Sequence, residues 1–411
     1  MRYLAPAGTP IGAGDLWRWL CSLPRKRQVL EDFRGQLTGR FGLAGCEFVS
    51  SGRAGMTLLL QTLYELRGEP ERNEVVIPGY TCFSVPASIE RAGLRVRVCD
   101  INPQTLDYDA ARLADFDFSR VLAVVSANLY GMPNDLDAIE AAARRHGVYM
   151  VDDAAQALGA SCAGRPVGTF GDVGLFSLDK GKNITSMQGG ILITRNAEIA
   201  TALRRRVAAL PAPGVAGTLT QVIKLFAYAT LLPPSRYGVT RRLPFLGLGR
   251  TPYQAPSPLT RYSPALGVFA ALLYARLEKL AEGRRANAQL VAAAINGIAG
   301  MKPLALIPET EPVFVRLPVL AADPRSRQAL LDALDEAGIG ATGSYPTAIV
   351  DIPELRGQLD PRDLDCPGAR SVAARIVTLP THPFVQATDI EAIASAARFG
   401  SAGDSSRVAQ Q

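Results

Sequence analysis

From Glu74 to Arg195 the chain repeats one pattern: a short apolar run, a turn, and often an amphipathic stretch. The runs 74–80 (EVVIPGY), 95–101 (RVRVCDI), 121–127 (VLAVVSA), 148–152 (VYMVD), 173–178 (VGLFSL) and 191–194 (ILIT) are short and rich in β-branched or aromatic residues, which predicts strands. Their near-continuous apolar character predicts one mainly parallel sheet covered by helices on both faces, an α/β architecture. Residues 52–67 predict a helix with Met56, Leu59, Leu60 and Leu63 as its core stripe. The clearest helix is 136–146. Asp135 can cap it, Asp137 and Glu140 lie toward the positive end of its dipole, Arg144, Arg145 and His146 lie at the negative end, and Gly147 can close it. His146 is therefore read as a helix-end residue.

The pattern changes after Ala200. Residues 211–254 are rich in Pro, Gly and aromatics, with an apolar stretch at 222–232 and then Arg236, Arg241 and Arg242 beside 243–248 (LPFLGL). The domain change is placed here. Residues 1–255 are expected to form a large domain carrying an apolar insert at about 211–254, residues 256–400 a smaller α+β C-terminal domain, and 401–411 a disordered tail. Within the small domain the pattern predicts a long helix from Pro264 to about Asn296, strands at 314–320 and 376–379, a helix at 325–337 closed by Gly338, and a Thr388–Glu391 capping box.

With 411 residues, 48% of them hydrophobic, the chain can bury a large core and falls outside the disordered class. Its 44 basic and 38 acidic residues are interspersed and aromatics are 7%, so the net charge of +6 favours anionic small molecules or a membrane surface, and no nucleic-acid partner is expected. The stretch 222–232 contains Lys224 and is shorter than the roughly 20 apolar residues that cross a bilayer. Membrane contact is thus expected only as a peripheral one through 222–248, with Arg236, Arg241 and Arg242 at anionic head groups and Phe226, Leu231, Leu243, Phe245 and Leu246 toward the acyl region. Packing of the insert between domains or across a dimer is the plainer reading. Six scattered cysteines without a C-x-x-C pair, and an N-terminus without a signal pattern, point to the cytoplasm, with any peripheral contact at the inner face of the membrane. Two histidines, His146 and His382, and no Cys/His cluster lead to the expectation of no metal.

Candidate chemistry concentrates between 149 and 190. Lys182 lies between two predicted strands and downstream of 153–156 (DAAQ), the layout of a lysine that holds the aldehyde of pyridoxal phosphate (PLP). Such an amine must lose its proton, which desolvation or a neighbouring cation promotes. Asp153 follows a strand at its carboxyl end, where an acid points into a ligand crevice and can hold the proton of the pyridine nitrogen. Gln156 can bond the phenolic oxygen or cover the ring. Ser177 can donate to the phosphate, as can the N–H groups of Gly52, Arg53 and Ala54 at a helix start, with Arg53 adding charge. Singly, each has a bland reading: a solvated lysine, a capping aspartate, a turn of small residues. Their order and spacing favour the functional one.

These segments resemble the DegT-type nucleotide-sugar aminotransferases of PLP fold type I. The matching residues are 49–54 (VSSGRA), 77–81 (IPGYT), 98–101 (VCDI), 129–131 (LYG), 153–160 (DAAQALGA), 171–177 (GDVGLFS), Lys182-Asn183 followed by Gly189-Gly190, and 379–383 (LPTHP). The resemblance implies that Lys182 carries PLP, that Asp153 is its pyridine partner, that Gln156 touches it, and that Ser177 with Arg53 and Ala54 forms the phosphate site. Family spacing from the serine selects Lys182 over Lys180, and a lysine here, where the dehydratase branch carries histidine, implies amino transfer. It further implies a homodimer in which an amino acid, glutamate by resemblance, supplies the amine to a nucleotide-linked keto sugar in polysaccharide or glycoconjugate biosynthesis. Several positions depart from the family. Cys82 replaces an aromatic, which leaves Tyr80 or Phe83 to stack on the ring; Arg53, Asn128 and Gln188 replace Thr, His and Glu. Residues 260–264 (TRYSP) replace an Asn-x-Arg-Met-type segment, and Ser344 replaces a histidine before Tyr345-Pro346. Two other functions therefore stand beside the first: a non-catalytic PLP-binding regulatory protein on the same scaffold, and a membrane-surface assembly component.

Overall fold

A computed structural model describes residues 2–240, 253 and 257–408, with side chains through Gly238, at Tyr253, and from Ser257 to Arg398. Arg241, Arg242, Leu243, Phe245 and Leu246 of the expected insert lie outside the described residues.

The strands in chain order are β1 (Gly45–Val49), β2 (Glu74–Pro78), β3 (Arg95–Cys99), β4 (Val121–Ala127), β5 (Tyr149–Asp153), β6 (Ser161–Cys162), β7 (Arg165–Pro166), β8 (Val173–Ser177), β9 (Gly190–Thr194), β10 (Met301–Pro303), β11 (Thr310–Glu311), β12 (Leu317–Ala321) and β13 (Ile376–Leu379). Seven of them build the main sheet in the order β1-β9-β8-β5-β4-β2-β3. All its pairings are parallel except those of β9, which runs against β8 and β1. The expected mainly parallel sheet is thus present, with β1 added at its edge.

Alternation along each strand distributes the sheet between two cores. In β2, Val75 and Ile77 pack with Leu59, Leu63 and Val125 on one face, while Val76 joins Phe33, Met150 and Phe269 on the other. Each such side chain, removed from water, stabilises the fold by about 1.5–3 kcal/mol. β1 lacks the apolar signature because Glu47 sits within it, and that buried carboxylate is paired with Arg34 at 2.9 Å and Arg204 at 3.5 Å.

The helix predicted at 136–146 spans Leu136–Arg145, capped by Asp135, whose Oδ1 accepts from Ala138 N–H at 3.1 Å; His146 ends it and stacks on Phe118 at 4.2 Å. The predicted long helix after Pro264 is two helices, Pro264–Tyr274 and Leu277–Ile295. They break at Arg276 (φ −112°), which turns out to grip Asp15 at 2.8 Å. Leu277, Leu280 and Ala281 belong to a core of the main sheet, whereas Ala288, Val291 and Ile295 belong to that of the small sheet β10-β12-β13. The Pro264 helix therefore packs on the main sheet, although the expected division at residue 255 would have given it to the small domain.

A buried cluster ties the two parts together: Arg97 on β3 bonds Glu74 at 2.7 Å and Asp363 at 2.7 and 3.0 Å. The last helix starts at Ala387, where Asp389 rather than a Thr388–Glu391 box accepts from Gln386 N–H at 2.8 Å. It continues to Val408 through the segment expected to be a disordered tail, as propagation of an established helix costs little per residue.

Candidate cofactor crevice

Two adjacent aspartates at the carboxyl end of β5 show how the sheet sorts its polar groups, because successive side chains point to opposite faces. Asp152 is fully buried and accepts four hydrogen bonds, from Gly168 N–H (2.6 Å), Phe170 N–H (3.2 Å), Asn128 Nδ2 (2.8 Å) and Ser126 Oγ (3.3 Å). It fastens the loop that leads into β8. Asp153, half-buried, accepts among the described residues only from Ala155 N–H at 3.0 Å. Burial pushes both carboxyls up to about 6, and the positive charge of Lys182 opposes that rise at Asp153.

Lys182 sits in the loop after β8, near enough to Asp153 for their charges to act on each other. Its side chain is half-buried and makes no hydrogen bond or ion pair among the described residues, and burial lowers its pKa. Lys180 is exposed, its N–H bonded to Asp179. The backbone under Lys182 is held from three sides. Its N–H donates to Asp179 O at 3.3 Å, its carbonyl accepts from Thr9 Oγ1 at 2.5 Å, and Asn183 Nδ2 donates to Leu158 O at 2.6 Å. A fixed loop thus presents an uncommitted amine to an acid with spare acceptor capacity.

The start of the Gly52–Arg67 helix meets the end of β8. A Cβ on Gly190 would run into Ser51 O at 2.6 Å, which requires the absence of a side chain there, and one on Gly52 would lie in tight contact 3.3 Å from Ser177 Oγ. The close approach sets Ser177 Oγ beside the positive end of the helix dipole, as an anion cradle requires. Two expected phosphate contacts are engaged elsewhere. Ala54 N–H donates to Ser51 Oγ at 3.1 Å, the N-cap bond of the helix, and Arg53 Nη1 donates to Tyr253 O at 3.2 Å.

Gln156 receives the Tyr130 N–H on Oε1 at 3.2 Å and donates from Nε2 to Tyr345 Oη at 3.3 Å. Tyr80, expected as a ring-stacking residue, has no exposed surface; its hydroxyl exchanges hydrogen bonds with the Tyr345 backbone at 3.3 and 3.4 Å. It is a strut between the two parts of the molecule, because the ring is enclosed by the core and by Tyr345. Phe83 is nearly as buried and also packs on Tyr345. The half-buried residues here are Cys82 and Tyr345.

Three non-glycine residues with left-handed backbone surround this place: Tyr130 (φ 60°), Phe314 (φ 43°) and Ser344 (φ 57°). Such conformations cost about 1–3 kcal/mol each and cluster at ligand sites. Sequence reasoning missed Thr9, Arg284 and Arg316. Thr9, on an N-terminal strap, bonds the Lys182 carbonyl and receives Arg284 Nη2 at 3.3 Å. Arg316 Nη1 donates to Thr342 Oγ1 at 3.2 Å. None of the three has a local signature, since each reaches the site through a contact distant in sequence. His382, part of the matching run 379–383, meets Ala5 O of the same strap at 2.8 Å through Nε2.

An uncommitted, desolvated amine opposite an under-bonded carboxylate at strand ends, with a serine at a helix start nearby, fits PLP. The chain matches the model of the DegT/DnrJ/EryC1/StrS aminotransferase family over residues 26–225 and 266–398. It is 36% identical over 199 residues to an L-glutamine:2-deoxy-scyllo-inosose aminotransferase of Streptoalloteichus tenebrarius, covering 48% of this chain and 45% of that protein. The chain therefore spans about half the length of the curated relatives it matches. Among solved structures, the aminotransferase TlmJ from Streptoalloteichus hindustanus superposes with a TM-score of 0.76 at 23% identity over 98% of this chain and 99% of that one. An E. coli GDP-4-keto-6-deoxy-D-mannose-3-dehydratase with bound hydrated PLP superposes with 0.76 at 18% identity over 96% and 99%.

Proposed function

The chain belongs to the DegT/DnrJ/EryC1/StrS aminotransferase family, and from that membership we propose that it is a PLP-dependent aminotransferase moving an amino group from an amino acid to a keto sugar. The carrying observation is the pair Lys182 and Asp153: among the described residues, an amine without a hydrogen-bond partner and an acid with one, close enough for their charges to interact. PLP, when bound, supplies an aldehyde for amines and a protonated ring that withdraws electron density. Asp153 holds the proton on the ring nitrogen through its carboxylate, which is ionised at neutral pH even when burial pushes it up to about 6. Lys182 Nζ, which burial makes more readily neutral, would hold the aldehyde and would move the proton at the reacting carbon. Ser177 Oγ and the start of the Gly52 helix hold the phosphate.

The fold also carries a dehydratase; by the family resemblance Lys182 stands where that branch has histidine, which supports amino transfer here. The curated relative uses L-glutamine by name, so glutamine stands beside glutamate as donor. A nucleotide-linked acceptor, a homodimer, a polysaccharide pathway and a cytoplasmic location complete the reading, on the family resemblance. Borohydride reduction of PLP-loaded protein and peptide mapping should place the pyridoxyl group on Lys182. An adduct on Lys180, or no loss of the amine-loaded cofactor against a panel of keto sugars, would refute the proposal.

Peripheral membrane contact is a second reading, favoured by the Val215–Leu231 helix, where Val215, Leu219 and Ile223 are exposed on one face. No helix among the described residues is long and apolar enough to cross a membrane.

A further inference from the structure

We propose that Arg316 receives the carboxylate of the amino donor. This rests on the aminotransferase reading and names the donor subsite of the same crevice. Arg316 immediately precedes β12, on a segment that leaves the small sheet to pair with the large domain: Val313 N–H donates to Gly131 O at 2.9 Å and Val315 N–H to Tyr130 O at 2.8 Å. That pairing carries the residue to the strained Tyr130 turn. The guanidinium is half-buried, and among the described residues its hydrogen bonding is limited to Thr342 Oγ1 at 3.2 Å, with no ion pair. Thr342 is fixed in turn by Thr378, with 3.0 Å between their hydroxyl oxygens. One edge of the fork is oriented and the remaining donors of its five N–H groups are left for a ligand.

Hydrogen bonds set it by the lysine loop: the carbonyl of the neighbouring Val315 accepts from Arg284 Nη1 at 3.3 Å, Arg284 Nη2 donates to Thr9 Oγ1 at 3.3 Å, and Thr9 Oγ1 donates to the Lys182 carbonyl at 2.5 Å, while the charge of Arg316 is a lesser influence on Lys182, Tyr130 and Tyr345. Other interior arginines are committed. Arg97 bridges Glu74 and Asp363, Arg276 grips Asp15, and Arg284 is directed at the carbonyls of Gly8 and Val315. A half-buried guanidinium without an anion gains from the arrival of a carboxylate, and the planar fork matches that group in two-pronged geometry. Every α-amino acid carries a carboxylate two bonds from its amine nitrogen. A phosphate of a nucleotide-linked acceptor lies farther from the carbonyl that reacts, so proximity to Lys182 selects the donor.

The test compares 2-aminoisobutyrate with isopropylamine, which share the branched amine and differ by the carboxylate. Both are titrated into PLP-loaded protein and followed by the cofactor's absorbance. The parent should bind 2-aminoisobutyrate roughly ten- to hundredfold more tightly, Arg316→Gln should erase the difference, and Arg316→Lys should retain part of it. Equal binding of the two probes by the parent, or undiminished discrimination in Arg316→Gln, overturns the proposal. So does an Arg316→Gln protein whose keto-sugar KM rises while its donor KM stays put. Because the probes need no turnover, a parent that transfers no amine yet shows Arg316-dependent discrimination keeps this assignment and removes only the proposed reaction.

Discussion

The crevice at the end of β5 and the Val215–Leu231 helix are opposite cases of incomplete bonding. In the crevice the frame is over-determined: Asp152 takes four donors, Asn128 bonds both Asp152 and the Asp153 carbonyl, and Asn183 anchors the lysine loop. The groups left under-bonded inside that frame are polar, Lys182, Asp153 and Arg316. On the helix the unsatisfied groups are apolar. Leu225 and Ala229 are buried and Phe226 lies edge-on to Trp19 at 5.7 Å, but Val215, Leu219 and Ile223 are exposed among the described residues. Half of the helix thus follows the plain packing expectation, including Phe226, which sequence reasoning had aimed at lipid. A spare polar group held rigidly implies chemistry; a spare apolar face implies only that something covers it.

The largest break of this contrast is Lys182→Ala. Removing the amine should leave the fold intact, because Thr9 bonds the backbone of residue 182 and not its side chain. Amino transfer should fall by at least about 10³-fold, measured against retained thermal stability. Near-parent turnover would show that the under-bonded amine is not the reacting one.

Asp153 and Asp152 allow the same chemical change at neighbouring positions. Asp153→Asn should lower kcat about 100-fold, or about 2.7 kcal/mol in the barrier, with stability little changed, since the side chain holds one backbone donor. Asp152→Asn should do the reverse. It swaps an acceptor of four hydrogen bonds for a group that accepts at one oxygen, costing about 1–3 kcal/mol of folding stability while sparing the crevice. Kinetics and denaturant unfolding on the two variants decide it, and equal behaviour would erase the distinction.

The frame also has a pH signature. His382 is fully buried with its ring on Ala5 O, and burial lowers its pKa to about 4. The unfolded chain, with an ordinary histidine near 6.5, binds the proton more tightly than the folded one, so stability is lost as pH falls from about 6.5 to 4. The loss from this residue is on the order of 3 kcal/mol at the lower end. His382→Gln should flatten that part of the unfolding-versus-pH curve, and an unchanged slope would assign it to other groups.

What was legible in the sequence follows whether a signal is local. β2, β4 and β8 are continuous apolar runs and stand where they were expected. β1 was hidden because Glu47 becomes buried only when Arg34 and Arg204 arrive from distant helices. Lys182, Asp153, Gln156 and Ser177 are close in the chain, so spacing alone marks them as candidates. Tyr80 shares that neighbourhood and was misread, because spacing does not reveal that Tyr345 closes over it. Arg316 and Thr9 were invisible, since only strand-like pairing with Tyr130 and the fold-back of the N-terminus bring them in.

The smallest effect sharpens the other side of the comparison. Leu219 and Ile223 sit one helical turn apart, with Lys224 exposed beside them and the basic residues Arg25, Lys26 and Arg27 exposed at the junction that follows Ala13–Ser22, the helix whose Trp19 packs on Phe226. If the face meets an anionic bilayer, Leu219→Ser with Ile223→Ser should reduce co-sedimentation with anionic vesicles severalfold. Folding stability should shift by no more than about 0.5 kcal/mol per site, because both side chains are more than half exposed among the described residues. Neutral vesicles should bind the parent weakly, as the apolar and charged contributions add. If the parent ignores both vesicle types and the double variant instead changes from dimer to monomer, a second copy of the chain is the cover. In either case the Lys182 adduct should form at the parent rate, since the nearest link from this helix to the lysine loop, Tyr228 Oη to Thr9 N–H at 2.8 Å, is on the buried side.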